Sequence, residues 1–428
     1  MTMSTSTDQR PDAGASPQGR YGALDVNVGR ALPPGDGTLT AYEYLPWDHA
    51  EFERDPYPWF ARAQAEVPVL RDTDGTFVVL RYADVLEFGK RPAMSVEPGW
   101  EKAGPWSIAR QSVIAQDPPK HTQLRRQTSK WFTPKAVENW VATTAAVTNA
   151  VLDAASGDLV DGWWDLSAVP THHTMCRVLQ FAADDVVGVV HDMADTMPML
   201  SALPRAGTID KAADGFDRLA RRVAPMLAAK RDTVGDGLAD ALLAAEQRGE
   251  ITDEEARATT LLLYSLGHMD VGYAIAAGLH VFARLPEVWN DFRRDPSARD
   301  AIINEIIRYD PPELSFYRVP TADVTIGGVD IPAGSTVRFM IAAANRDPEV
   351  FTDPHVFNHR RPAEQSRNLS FGIGPHSCLG QVLSRAEAKA VFEVLAGRFR
   401  RIELAGPVGM DNTDFSRHFT TLPLRLIA

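Results

Sequence analysis

The segment that most constrains the fold of this chain is a decapeptide near its C-terminal end, Phe371-Gly372-Ile-Gly-Pro-His376-Ser-Cys378-Leu-Gly380. It sets one cysteine in a glycine-rich loop directly ahead of a helical run, QVLSRAEAKAVFEVLAGRF. A helix N-terminus supplies positive partial charge, and glycines let backbone N–H groups approach a sulfur, so the loop suits a thiolate bound to a cationic metal. The ordinary fate of a free cysteine is an inert buried hydrophobe. With 30 Gly, 18 Phe, 11 His and 2 Cys in 428 residues, however, the pattern F-G-x-G-x-H-x-C-x-G arises by chance in about one such chain in a million. The loop is built for its cysteine.

Composition narrows what the cysteine can serve. A chain with 44% hydrophobic and 23% charged residues folds. Its 56 acidic against 44 basic residues, a net charge of -12, argue against nucleic acid or an anionic membrane as the main partner. Cys176 and Cys378 are too few for an iron–sulfur cluster, a four-sulfur zinc site or a disulfide framework. His172, His173 and Cys176, close together in HHTMCRVLQF, read as core of a helix because no further ligand is spaced nearby. The first twenty residues hold no apolar stretch of secretory type, which predicts a cytoplasmic protein. The nearly uncharged run Ala258 to Ala283 carries Asp270 at its middle, a costly placement in lipid, so it reads as a buried helix.

Residues 1–40, rich in Pro, Gly, Ser and Thr, read as a flexible lead-in, with one domain over 41–428. A helix from Asp55 and an extended hairpin with an Asp-Gly turn predict a small sheet at the front. Between Arg91 and Pro119 the pattern breaks into a long loop carrying Trp100 and Trp106. Helical periodicity dominates from His121, and after Asp310-Pro-Pro the segment VTIGGVDIPAGSTVRFMI predicts a second small sheet. The fold class is mainly α with small β-sheets.

A lone thiolate in such a loop is a good axial ligand for haem iron. Here the sequence resembles the cytochrome P-450 superfamily, specifically its bacterial monooxygenases, over roughly residues 50 to 428. The resemblance implies Cys378 as proximal iron ligand, Phe371 as the aromatic shielding the sulfur, Gly372 and Gly380 as loop positions of the haem site, and His376 at a propionate. Asp117-Pro-Pro-Lys-His121-Thr-Gln-Leu-Arg125 is similar to the family's DPPxHxxxR segment. His121 and Arg125, together with Arg318 in Phe-Tyr-Arg-Val-Pro, are then expected at the haem propionates. Glu305-Ile-Ile-Arg308 resembles the E-x-x-R pair, with Arg361 as its third member and Arg360 as the alternative.

The chain departs from this family on the long helix. Where an acid–alcohol pair usually relays protons, Gly267-His268-Met269-Asp270-Val271 restores neither register. Aligned with Gly267 as the small residue at the oxygen pocket, Asp270 takes the alcohol's place, either as relay, as substrate contact or as a satisfied buried acid. The resemblance implies a heme b enzyme that hydroxylates or O-dealkylates a small to medium, mildly aromatic-favouring substrate with dioxygen. Electrons would come from a separate ferredoxin and ferredoxin reductase to a monomer, over a proximal face made basic by Arg126, Lys130, Arg385 and Lys389. Pocket walls are expected from Trp100, Trp106, Ile114, Leu263, Leu266, Leu314, Phe316 and Phe419. Oxidative coupling, peroxide-driven oxidation and a non-catalytic haem sensor stand as alternatives.

Overall fold

The computed structural model describes residues 41–47, 49–72, 75–97, 109–183, 185–197, 208–233 and 235–428. The lead-in 1–40 and the two tryptophans Trp100 and Trp106 lie outside them. Twelve helices of seven residues or more are described: α1 (Tyr57–Glu66), α2 (Tyr82–Phe88), α3 (Lys120–Ser129), α4 (Pro134–Ala154), α5 (Val169–Leu179), α6 (Val186–Thr196), α7 (Thr208–Arg231), α8 (Leu238–Gln247), α9 (Asp253–Arg284), α10 (Pro286–Arg294), α11 (Arg299–Tyr309) and α12 (Gln381–Arg398). None of the described helices is long and apolar enough to cross a membrane.

At the front, β1 (Val69–Arg71) and β2 (Phe77–Val79) form the expected antiparallel hairpin, with Val69 opposite Val79. They are followed by β3 (Met94–Ser95) and, in the helical body, β4 (Leu159–Asp161). Beyond α11 come β5 (Phe316–Pro320), β6 (Val324–Ile326), β7 (Val329–Ile331) and β8 (Val337–Phe339), then β9 (Arg401–Leu404), β10 (Gly409–Asn412), β11 (Arg417–Thr421) and β12 (Pro423–Ile427).

The second sheet anticipated after the helices divides. Only β6 and β7 pair with each other, whereas β8 runs parallel to β2 and antiparallel to β5, giving a front sheet ordered β1-β2-β8-β5-β3. The physical reason lies in the side chains: Val78, Val79, Val337 and Phe339 are all fully or nearly buried, as central strands covered on both faces must be. Within the region read as helical, β4 is a strand paired with the distant β12.

The body is organised on the 32-residue α9. Its start is fixed five residues before the uncharged run by a reciprocal cap: Glu255 N–H donates to Thr252 Oγ1 at 3.2 Å and Thr252 N–H donates to Glu255 Oε2 at 2.9 Å. α9 packs on α5, α7, α8 and α12. Gly278 permits the closest of these approaches, since a Cβ there would sit 2.4 Å from Phe392 Cζ of α12.

Two buried charge networks tie the layers together. On α11, Arg308 clasps Glu305 through two contacts of 2.7 Å, and Arg361 Nε reaches the same carboxylate at 3.1 Å. Asn358 N–H donates to Glu305 Oε1 at 2.8 Å, and Arg308 also donates to the Asn345 carbonyl at 2.7 Å, so α11 and the meander of residues 345–361 are fastened at one point. Arg360 instead pairs with Asp291 at 2.7 Å on the surface. Arg338 of β8 lies between Asp72 at 3.1 Å and Asp414 at 2.7 Å, joining the front sheet to the β10–β11 region.

Glu387 of α12 is a further buried acid, held by Thr144 Oγ1 at 3.2 Å with no cation acting on it among the described residues. Burial pushes its pKa up to about 8 from an unfolded value of 4.5. The folded state therefore holds this proton more tightly, so its contribution is present below about pH 4.5 and is lost as pH rises through about 8. Glu387→Gln should remove that loss, gaining on the order of 2–4 kcal/mol over the wild type at pH 9 and less than about 1 kcal/mol at pH 5. Denaturant midpoints at the two pH values check this, and parallel pH profiles for the two proteins would contradict it.

Candidate active site

The loop ahead of α12 holds Cys378 where the sequence leads one to look. Gly372 and Gly374 adopt φ of +66° and +70°, the left-handed region that favours glycine, and they fold the loop so that Cys378 N–H donates to the Phe371 carbonyl at 2.7 Å. Cys378 lies deep in the molecule, yet its side chain is uncovered, so the sulfur faces an internal void. Its thiol is pushed up to about 11, first by burial and also by Asp270 and Glu313 across the void, while Gly380 N–H and Arg125 pull the other way. Helix end and glycines alone thus leave a thiol; a bound cation is needed to make the thiolate. Behind the loop, the Arg385 guanidinium lies 4.3 Å from the Phe371 ring centroid.

Beside the sulfur, basic side chains from three elements converge. His121 of α3 is buried with neither ring nitrogen partnered, its ring centroid 4.2 Å from that of His376. Arg125, one turn along, donates to the Ser377 carbonyl at 2.6 Å. Arg318 of β5 is buried and donates to the Tyr317 carbonyl at 2.6 Å, with burial lowering its pKa to about 10. His376 is lowered to about 3 by burial and then by Arg318, His121 and Arg125. Asp117, 3.8 Å from His376 Nε2, offers one carboxylate to this group. Unpartnered imidazoles and excess positive charge fit a cofactor that brings its own carboxylates, as the two propionates of haem do.

Across the void runs α9. Asp270 faces Cys378 from this helix, and Glu313 faces it from the segment that precedes β5; the two carboxyls hydrogen-bond to each other. Gly267 does not open the oxygen pocket in the manner expected. The space its missing side chain leaves is filled by Met175 of α5, whose Cε would be 2.6 Å from a Cβ. His268 turns fully away from the void, its ring 4.9 Å from that of His172. Cys176 Sγ lies 3.4 Å from His172 Nε2, and among the described residues no three such groups could hold a metal.

The expected pocket walls separate into two groups. Leu263, Leu266 and Ile114 are partly buried around the main core, and Leu266 lines a small apolar cleft with Met193, Phe216 and Leu219 from α6 and α7. Leu314, Phe316 and Phe419 point elsewhere. Leu314 is buried among Tyr44, Phe60 and Met340 under the front sheet, and Phe316 stacks on Phe339 at 5.2 Å. Phe419 is sealed against His280 at 5.5 Å, ten residues or about 15 Å of helix beyond Asp270. Strand alternation and helix register decide such facings, and neither can be read before the strands are paired.

Sequence reasoning missed Glu313. Its signal was an acid at the head of the mostly apolar stretch Glu313-Leu-Ser-Phe-Tyr, directly after a helix-stopping Pro-Pro.

These features define a buried void with a cysteine on one wall beside a basic cluster and two carboxyls on the other, and the comparisons with known proteins give its family. The model of the family described as Cytochrome P450 matches residues 299–424. Erythromycin C-12 hydroxylase of Saccharopolyspora erythraea is 30% identical over 363 residues, covering 80% of this chain and 87% of that protein. Vitamin D(3) 25-hydroxylase of Pseudonocardia autotrophica is 30% identical over 392 residues, covering 87% of this chain and 93% of that protein. The ligand-free structure of Mycobacterium smegmatis CYP164A2 superposes with a TM-score of 0.82 at 28% identity, covering 90% of this chain and 99% of that one. The chain belongs to the cytochrome P450 family, and with it to the haem-dependent monooxygenases, which are oxidoreductases.

Arg318→Gln tests the basic cluster. One charge-assisted hydrogen bond is worth about 1.5–3 kcal/mol, so the variant should fold with an unchanged thermal midpoint in its haem-free form and release haem to apomyoglobin roughly tenfold faster or more. Haem release at the wild-type rate would show that Arg318 holds no part of the cofactor.

Proposed function

We propose that Cys378 is the axial ligand of a b-type haem whose propionates are held by His121, Arg125, Arg318 and His376. The uncovered sulfur at the floor of a buried void is the observation that carries this reading. Phe371 and the glycines of the loop keep water from the sulfur, and the Glu305–Arg308–Arg361 cluster keeps the meander beneath it in place. Bound haem supplies the activation of dioxygen. The protein's residues position a substrate against it and exclude water, and Asp270 serves as a relay for protons.

The reaction proposed is hydroxylation or O-dealkylation of a small to medium organic molecule with an apolar body. The two relatives above, both named as hydroxylases, support hydroxylation as the reaction type. An aromatic preference is not retained: Trp100 and Trp106 lie outside the described residues, Phe316 and Phe419 turn away, and the cleft beside Leu266 is mainly aliphatic.

Electrons are proposed to come from a separate ferredoxin, itself reduced by its reductase at the expense of NAD(P)H. Arg126 and Lys130, both exposed on the α3 side, are the basic residues offered to it. Lys389 is neutralised by Asp300 at 2.8 Å, and Arg385 is spread over Phe371, so the basic face is smaller than the sequence suggested.

Turnover under isotopically labelled dioxygen with a ferredoxin, its reductase and NAD(P)H tests this function. Product carrying one labelled oxygen atom is expected. Coupled product without label, or tight haem binding with no electron uptake, would replace it by an oxidative coupling enzyme or a sensor.

A further inference from the structure

The mechanism above leaves Glu313 unused, although it stands in the same void as Asp270. Its backbone is pinned from both sides: Glu313 bridges Ser416, Leu314 N–H donates to the Phe415 carbonyl at 2.7 Å, and Arg417 N–H donates to the Pro312 carbonyl at 3.0 Å. Asp270 is fixed at the middle of α9. Two rigid elements therefore bring two carboxyl groups into contact, facing the sulfur. No cationic side chain among the described residues acts on either one.

We propose that Glu313 and Asp270 share a single proton and that Glu313 is the residue that delivers it to dioxygen during reduction, in the place of the missing acid–alcohol pair. The inference rests on the haem reading above.

Two carboxylates in contact within a buried void cannot both ionise. The hydrogen bond lowers Asp270 and raises Glu313, so Glu313 is the protonated donor and Asp270 the accepting carboxylate, while burial raises both. The other titratable groups that interact with the pair are Cys378 across the void and Tyr273 one turn along α9, whose buried hydroxyl finds no hydrogen-bond partner and whose ring is stacked between Trp163 and His418. From α5, His172 faces His268 on the opposite side of the helix.

In the step proposed, the Glu313 O–H bond breaks, its proton passes to dioxygen as that molecule is reduced, and a solvent proton reloads the pair. Two such protons and the two electrons from NAD(P)H reduce one oxygen atom to water, and the other atom enters the product.

Glu313→Gln keeps a hydrogen-bond donor to Asp270 but cannot release a proton, and Asp270→Asn is the second variant. In the full-length haem-loaded protein at pH 7, with Glu387→Gln as the common background because buried Glu387 is itself protonated there, infrared spectroscopy should show a protonated-carboxyl band that shifts in heavy water, is lost in Glu313→Gln and persists in Asp270→Asn. During NAD(P)H-driven dioxygen consumption without added substrate, both variants should shift the product from water to peroxide. Absence of the band, its survival in Glu313→Gln, or a wild-type ratio of peroxide to water would overturn the proposal. So would a spin shift with octyltrimethylammonium that is lost in both variants while the ratio stays unchanged, because the pair would then be a cation anchor. The ferrous–CO spectrum of the same samples reports separately on Cys378, so failure of the haem reading is distinguishable from failure of this one.

Discussion

The arrangement depends on keeping one sulfur atom uncovered at the bottom of a void inside a closely packed protein. Core packing ordinarily fills such space, because an unfilled cavity forfeits contacts on every wall. Here the walls cannot collapse. The loop bearing Cys378 is fastened to the Phe371 carbonyl on one side and to α12 on the other, and α9 crosses opposite as a continuous 32-residue helix capped at its start. Glu305, clasped by Arg308 and Arg361, fixes the meander whose chain leads into that loop. The void is a product of rigid surroundings and needs a cofactor to fill it.

Charge is divided across this void. On the sulfur side His121, Arg125, Arg318 and His376 gather with one carboxylate, Asp117, among them; on the far side Asp270 and Glu313 meet without a cation. Each group is unfavourable alone. In the proposed reading a haem would answer the first with propionates and iron, and a shared proton the second. Burial of an unpaired charge costs several kcal/mol, so both devices read as function retained at some expense of stability.

The parts legible in the sequence were those set by local chemistry. Cys378, Glu305-x-x-Arg308 and the His121–Arg125 pair could be placed because a loop or one helical turn determines their geometry. What depended on distant pairing could not. The β8 strand joined the front sheet because β2 offered it a partner more than 250 residues earlier. Leu314 and Phe316 faced other cores, and Phe419 a distant part of the main one, for the same reason. Gly267 read as an opening to the oxygen site, but Met175 from another helix fills it. Glu313 was visible as an odd acid in an apolar stretch, and only the fold shows that it meets Asp270.

The most direct measurement is the absorption spectrum of the ferrous–CO adduct in the wild type and in Cys378→His. Sole ligation of iron by the Cys378 thiolate predicts a strongly red-shifted Soret band in the wild type and its disappearance in the variant, with haem still bound. A red-shifted band that survives the substitution would contradict the account.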